Sequence, residues 1–254
     1  MDIKLFSLVI PAYREEKTIG KNLVHVEEIL KKLPYDYELI VVVDGFVDNT
    51  LDIVKKLKKN NKKIRVYGTR KNHGKGNAVK FGFSKARGDV VGFIDADLNL
   101  DPAGLEILLD FMNLHNADIV VGSKTHSDSE VEYPQYRKIF SFIYRWINQF
   151  LFGLMVLDTQ VGMKIFTKKV AKDVFPRLLV KQFGFDIEIL ALANALGYTK
   201  IYEAPIKLKF KTGSISAKNF VKIGFLLLWD TLAVFYRIKI LQYYRLSNKK
   251  NWLN

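Results

Sequence analysis

The chain has 254 residues, 49% of them hydrophobic, no cysteine and a formal net charge of +14. That length and apolar content suffice for a sizeable core, while the lack of cysteine excludes disulfides and thiolate metal sites and suits a reducing compartment. The lysine excess, dense in KKLKKNNKKIR, describes either a solvated surface or an anionic partner; no zinc-finger spacing or aromatic RNP-like strand accompanies it, which sets nucleic acid aside and leaves an anionic membrane face.

The opening MDIKLFSLVIPAY carries an early acid and an apolar run broken by Pro11, unlike a secretory signal, and LFSLVIPAY reads as a strand. EKTIGKNLVHVEEILKKL follows, with Ile19, Leu23, Val26, Ile29, Leu30 and Leu33 at helical spacing. YELIVVVD, KIRVYGT, DVVGFIDAD and ADIVVGS read as further strands, separated by the helical patterns NTLDIVKKLKK, GNAVKFGFSKA and AGLEILLDFMNLH. Continuous apolar strands alternating with helices predict an α/β fold, a mostly parallel sheet with helices on both faces. Ligands of such sheets bind outside the carboxyl ends of the strands. That gathers Pro11 to Glu15, Asp44, and Asp95 to Asn99 along one crevice. The second half is less regular. The polar loop THSDSEVEYPQ precedes YRKIFSFIYRWINQFLFGLMVL, then DTQVGMKIFT, FGFDIEILALANALG, TKIYEAPIKLKF and AKNFVKIGFLLLWDTLAVFYRIKILQYYR.

FIDADLNLDP sets Asp95 and Asp97 one residue apart at a strand end. If the extended conformation persists, both carboxylates face one site. Two like charges raise each other's pKa unless a cation joins them. Oxygen ligands suit Mg2+ or Mn2+, which share phosphate oxygens with a substrate. The alternative is a helix N-terminus with surface acids; Asp101 before Pro102 suits that role and leaves Asp95 and Asp97 unexplained. HGKG, from His73 to Gly76, lacks Walker A spacing, so its glycines point to close backbone approach and Lys75 to a phosphate contact.

Arg137, Ser141, Arg145 and Asn148 fall at i, i+4, i+8 and i+11, one polar stripe on an otherwise apolar helix. Arginines in such surroundings need an anion. The anion is either an intramolecular carboxylate or a phosphate, whose geometry guanidinium matches. The C-terminal stretch is interrupted by Asp230, so no window reaches about 20 uncharged residues and no membrane span is expected. Lys218, Lys222, Arg237, Lys239 and Arg245 flank it, which suits an interfacial amphipathic helix, or else an ordinary core helix.

Taken in order, SLVIPAYREEKTI, VVVDGFVDNT, NHGKGNAVKFGFSKARGD, FIDADLNLDP and DTQVGMKIF resemble the inverting nucleotide-sugar glycosyltransferases of family two. The resemblance covers about Phe6 to Phe210 and is closest to polyprenyl-phosphate sugar transferases of the dolichyl-phosphate mannose or glucose synthase type. It implies a GT-A fold and a donor such as GDP-mannose or UDP-glucose. Asp95 and Asp97 would hold Mg2+ or Mn2+ against its diphosphate, with Asn99 a further ligand. Pro11, Tyr13, Glu15, Asp44, Lys75, Ala96, Lys124 and Gln160 would line the nucleotide-sugar site. Where the family reads D-D-G-S, this chain has Val43, Asp44, Gly45 and Phe46, which unsettles the base and ribose contacts. Arg137 and Ser141 would bind the acceptor phosphate, and Lys124 replaces a phosphate-binding arginine. Asp158 is assigned to positioning, with general-base work, by it or by Asp186, the lesser alternative. The domain would span 1–217, with an acceptor-side helix at about 135–152, followed by an amphipathic tail over 218–254. The implied setting is the cytoplasmic face of a membrane, held peripherally by anionic lipid or through an integral membrane partner. The rival readings are a transferase acting on a sugar hydroxyl and a catalytically silent nucleotide-sugar-binding protein.

Overall fold

The computed structural model describes residues 1–131, 135–182, 184–208 and 217–252. Its strands are β1 (Leu5–Ala12), β2 (Asp36–Asp44), β3 (Ile64–Thr69), β4 (Val90–Ile94), β5 (Ile119–Ser123), β6 (Glu130–Val131), β7 (Met163–Thr167), β8 (Ile201–Pro205) and β9 (Lys207–Leu208). Its helices are α1 (Ile19–Leu30), α2 (Thr50–Asn60), α3 (Lys75–Lys85), α4 (Gly104–His115), α5 (Gln135–Phe152), α6 (Lys168–Val174), α7 (Phe185–Ala195) and α8 (Ala217–Phe235).

Seven strands form one sheet in the order β3-β2-β1-β4-β7-β5-β8, and β6 pairs with β9 beside it. The large sheet is parallel except for β7, which runs antiparallel between β4 and β5. Alternate residues point to opposite faces, and both faces are covered, which is why the strands read as unbroken apolar runs. Leu8, Ile10, Leu39 and Val41 pack on one side with Leu23, Leu30, Leu108 and Met112 of α1 and α4. Val9, Ile40 and Val42 pack on the other with Val79 and Phe83 of α3, Phe175 and Phe185. Phe83 and Phe175 stack at 3.7 Å between ring centroids.

At the sheet end where the parallel strands begin, Glu38 is buried and holds four segments together. It accepts from the Ser7 hydroxyl (2.7 Å), the Arg65 guanidinium (2.7 Å), and the Arg87 N–H (2.7 Å) and guanidinium (2.9 Å). These bonds outweigh burial, which acts the other way, and hold its carboxyl below the ordinary glutamate range.

Helices α5 and α8 lie against each other. The Tyr144 and Thr231 hydroxyls are 2.8 Å apart, and a side chain on Gly224 would collide with the Phe140 ring at 2.4 Å. Both helices leave apolar faces in the open: Phe142, Ile143, Trp146 (60% exposed) and Phe150 (88%) on α5, and Phe225, Leu226, Trp229 (67%) and Leu232 on α8. Beyond α8, a π-helical turn over Tyr236–Ile240 leads to Tyr244, which with Val234 joins the second core. Among the described residues, no helix is long and apolar enough to cross a membrane.

Candidate active site

A cleft of about 550 Å³ opens over the carboxyl ends of β1, β2 and β4. Of the residues expected at a nucleotide-sugar or metal site, it gathers Pro11, Tyr13, Glu15, Asp44, Lys75, Asp95, Ala96, Asp97 and Gln160. The rest of its lining is Ala12, Asn72, Gly74, Ala78, Gln182, Phe185 and Asp186.

Asp95 and Asp97 reach this cleft by a different route from the one their spacing predicts. The extended conformation ends at Ile94, Ala96 and Asp97 form a turn, and Leu98 takes a left-handed φ of 47°. The turn is pinned from two sides. Asn22 of α1 donates its side-chain amide to the Ala96 carbonyl at 2.7 Å, and the Asp95 N–H donates to the Gly162 carbonyl at 3.1 Å. Gly162 has no room for a side chain, because a Cβ there would lie 2.0 Å from Asp95 Oδ2. Asn99 is turned to Asp97: its N–H donates to Oδ1 at 3.1 Å and its side-chain amide to Oδ2. Asn99 Oδ1 is left buried without a hydrogen-bond partner among the described residues. Asp101 is not the N-cap of α4, which is Ala103 without a side-chain cap; its carboxylate instead accepts the Ala103 N–H at 3.0 Å in the turn that leads into the helix.

Asp44 clamps the HGKG loop. Its Oδ1 accepts the His73 N–H (2.9 Å) and the Thr69 hydroxyl (3.0 Å), and its Oδ2 accepts the Gly74 N–H (2.7 Å). The loop glycines admit another stretch of backbone: a Cβ on Gly74 would sit 2.3 Å from the Lys181 carbonyl, and one on Gly76 2.7 Å from that of Val180. That close approach brings Gln182, Phe185 and Asp186 to the cleft. Lys75, the first residue of α3, extends its ammonium to 2.5 Å from Asp95 Oδ1, over the rings of Phe93 and Phe185. Burial disfavours its charge, but the carboxylates of Asp95 and Asp186 outweigh that and hold its pKa above the ordinary lysine range.

Lys164 was not anticipated. It sits fully buried in β7, ion-paired with Asp186 and donating to the Val161 carbonyl at 2.5 Å. Burial pushes its pKa down and that of Asp186 up. The available signal was a lone lysine inside the apolar run MKIF, which requires a buried anion. Asp186 answers it and is therefore no simple helix cap. Glu188, two residues on in α7, is structural: it accepts the N–H groups of Leu179 (2.9 Å) and Val180 (2.8 Å) and the Tyr244 hydroxyl (2.5 Å).

Several expected residues lie outside the cleft lining. Asp158 is buried, with Oδ2 accepting the Lys124 N–H (3.0 Å) beside its ammonium (3.5 Å) and Oδ1 accepting the Gln160 N–H (3.3 Å). It thereby orders the segment that carries Gln160. Asn148 of α5 reaches the neighbouring Thr159 hydroxyl at 3.5 Å. Ser141 is half-buried on α5, and Arg145 Nε is buried without a hydrogen-bond partner among the described residues. Arg137 falls on α5, but its side chain lies outside the described residues. Among the described residues, no three His, Asp or Glu side chains gather into an all-protein metal site. Asp95 and Asp97 in the cleft, with the orphaned Asn99 oxygen beside Asp97, are an oxygen-donor set that fits a divalent cation also taking oxygens from a bound phosphate.

A mostly parallel sheet with paired carboxylates over its carboxyl edge is the arrangement expected of a GT-A glycosyltransferase. The family model described as Glycosyl transferase family 2 matches residues 7–175, and the chain belongs to that family. It is 30% identical to the dolichyl-phosphate beta-glucosyltransferase of Dictyostelium discoideum, over 86% of this chain and 73% of that one. With the human dolichyl-phosphate beta-glucosyltransferase it shares 32% identity over 75% of this chain and 63% of the relative. In fold it is similar to glucosyl-3-phosphoglycerate synthase from Mycobacterium tuberculosis, solved with Mn2+, UDP and phosphoglyceric acid. There the TM-score is 0.67 at 20% identity, covering 91% of this chain and 78% of that one.

Proposed function

We propose that the chain transfers glucose, with inversion, from UDP-glucose to a polyprenyl monophosphate at a membrane surface. The observation that carries this reading is that α5, which carries an open apolar face, packs beside the cleft wall. Asn148 of α5 touches Thr159, next to Gln160 in the cleft wall, while Trp146 and Phe150 of the same helix face outward. A lipid-borne acceptor can lie along such a face and present its head group to the donor. The relatives named for dolichyl phosphate and glucose support the same choice of acceptor and sugar.

In this reading Asp95 and Asp97, with Asn99, would hold Mg2+ or Mn2+, which would supply positive charge against the leaving diphosphate. Lys75 adds a second cation to the same wall. Pro11, Tyr13, Glu15, Asp44 and Ala96 bound the nucleotide-sugar site, and Gln160 faces the sugar. Arg137, Ser141 and Lys124 would form the acceptor-phosphate cradle, together with Arg145, whose Nε has no hydrogen-bond partner among the described residues. A phosphate monoester has a second pKa of about 6, so it is already an anion at neutral pH and attacks the anomeric carbon without a general base. The acceptor oxygen forms its bond to that carbon as the bond to the nucleoside diphosphate breaks, which inverts the centre. Asp158, tied to Lys124 and to the Gln160 N–H, positions the wall. The protein sits on the cytoplasmic face, held by these apolar faces and by its net charge of +14 on an anionic surface or through an integral partner.

The test is incubation with Mn2+, vesicles carrying polyprenyl phosphate, and radiolabelled UDP-glucose or GDP-mannose. Label from UDP-glucose should enter the organic phase. Label from GDP-mannose alone would replace the donor, and transfer only to sugar hydroxyls would overturn the acceptor.

A further inference from the structure

Lys75 and Asp95 stand in an arrangement that the transfer reaction does not by itself require. The ammonium lies 2.5 Å from Asp95 Oδ1, on one of the two carboxylates suited to a divalent cation. It is fixed there from several sides. Asp44 holds the Gly74 N–H just before it, Phe93 and Phe185 put their rings 5.8 and 5.6 Å from it, and the carbonyls of Val180 and Lys181 with the Gln182 side chain close over Gly74 and Gly76. Asp95 is equally fixed, because Gly162 receives its N–H and leaves only enough room for its carboxylate. A cation seeking Asp95 therefore meets an ammonium already in its electrostatic place.

We propose that Lys75 is the resident counter-cation of Asp95, and that donor loading is a handover in which the divalent ion takes Asp95 while Lys75 turns to the incoming diphosphate. This deepens the reading of a metal-diphosphate donor site and rests on it. The physical argument is the balance of charge. Five carboxylates line the cleft: Glu15 accepts the Thr18 hydroxyl, Asp44 is engaged by the HGKG loop, Lys164 pairs with Asp186, and Asp95 and Asp97 remain to take a cation. Without the donor, Lys75 offsets Asp95, so a bare divalent ion must displace the ammonium from the carboxylate it sits on and add its own charge beside it. With the donor, the diphosphate brings negative charge of its own, and both cations are then satisfied together. Free metal thus binds weakly and metal with nucleotide binds well, which couples the two ligands through one side chain. Lys75 is a positioning residue in this sense: it acts through Asp95 and makes the affinity for one ligand depend on the other.

The test is Mn2+ binding by electron paramagnetic resonance, with and without UDP, on the full chain and on Lys75→Met, Lys75→Gln, Lys75→Arg and Asp97→Ala. Removing the ammonium should tighten free Mn2+ at least tenfold, about 1.4 kcal/mol, while loosening UDP in the presence of Mn2+. Lys75→Arg keeps the charge and should not tighten free Mn2+. Agreement of the Met and Gln variants, with unfolding midpoints near the parent, separates lost charge from a disturbed loop. Unchanged or weaker free Mn2+ binding in both neutral variants, with Asp97→Ala still abolishing it, overturns the handover alone. Mn2+ binding indifferent to Asp97→Ala overturns the donor-site reading beneath it.

Discussion

Gly162 and Asp95 lay claim to one volume: a methyl group on Gly162 would sit 2.0 Å from Asp95 Oδ2. Gly162→Ala must therefore push the carboxylate out of the cleft or open β7 from β4. The expected result is a loss of at least a hundredfold in transfer, with stability lowered by about 1–3 kcal/mol, the usual cost of an overpacked site. Mn2+ titration beside urea unfolding checks it. Full Mn2+ affinity in the variant would show that Asp95 does not have to stay where it is.

Lys164→Met strands Asp186 in the interior without its counter-ion. Breaking a buried pair from one side costs about 3–5 kcal/mol, whereas replacing both partners costs far less. Lys164→Met should fall in that range, and the double variant Lys164→Met/Asp186→Asn should recover much of the loss, read from urea midpoints.

Glu38 predicts a pH dependence at the far end of the sheet. Its folded pKa lies below the ordinary carboxylate value, so the unfolded chain takes up its proton first as pH falls. The stability it contributes is complete above the ordinary glutamate range and is lost as pH drops through its depressed value. In Glu38→Gln that acid-sensitive part should vanish, with the two stability curves converging at low pH. Donor binding should not change, because Glu38 lies at the opposite end of the strands from the cleft.

Trp146 and Trp229 are open to solvent, whereas Trp252 is buried. If the α5 and α8 faces meet lipid, anionic vesicles should shift the emission of the first two to the blue. Trp146→Ala/Trp229→Ala should weaken vesicle binding at least tenfold, since each buried aromatic contributes about 1.5–3 kcal/mol. High salt should release part of the protein from the vesicles. An unshifted spectrum with saturating vesicles would point the apolar faces at a protein.

Arg137→Ala should cripple transfer to polyprenyl phosphate and barely change UDP binding. Losing one partner of a desolvated charge pair costs about 2–5 kcal/mol, roughly thirtyfold or more at 1.4 kcal/mol per tenfold. Arg137→Lys should recover only part, because an ammonium lacks the planar fork. Calorimetry with UDP and an extraction assay separate the two effects, and an equal loss of UDP binding would move Arg137 to the donor.

The sheet was legible because its central parallel strands are buried on both faces and carry unbroken Val and Ile runs. The antiparallel β7 was not. MKIFT is short and interrupted by Lys164, and DTQVG before it drew attention to the acceptor segment instead. The Asp95–Asp97 pair was found by its spacing, yet the spacing implied a strand where the chain makes a turn, because nothing local announces Asn22 reaching across from α1 to the Ala96 carbonyl. Asp186 and Glu188 looked alike on paper. Their roles separate only through Lys164 and Tyr244, which lie 22 residues before the first and 56 residues after the second.

The grip of Glu188 on Tyr244 has a practical side. Glu188 is fully enclosed, and two of its neighbours, the Tyr244 hydroxyl and the Arg237 guanidinium at 3.6 Å, come from beyond α8. The same carboxylate carries the N–H groups of Leu179 and Val180, just ahead of Gln182 in the cleft wall. Cutting the chain after Phe235 to obtain a more tractable protein would thus loosen the donor site from behind, and its inactivity would be mistaken for the loss of a membrane anchor. Diluting the apolar face by point substitution, with the last turns left in place, is the cleaner way to test whether that face meets lipid.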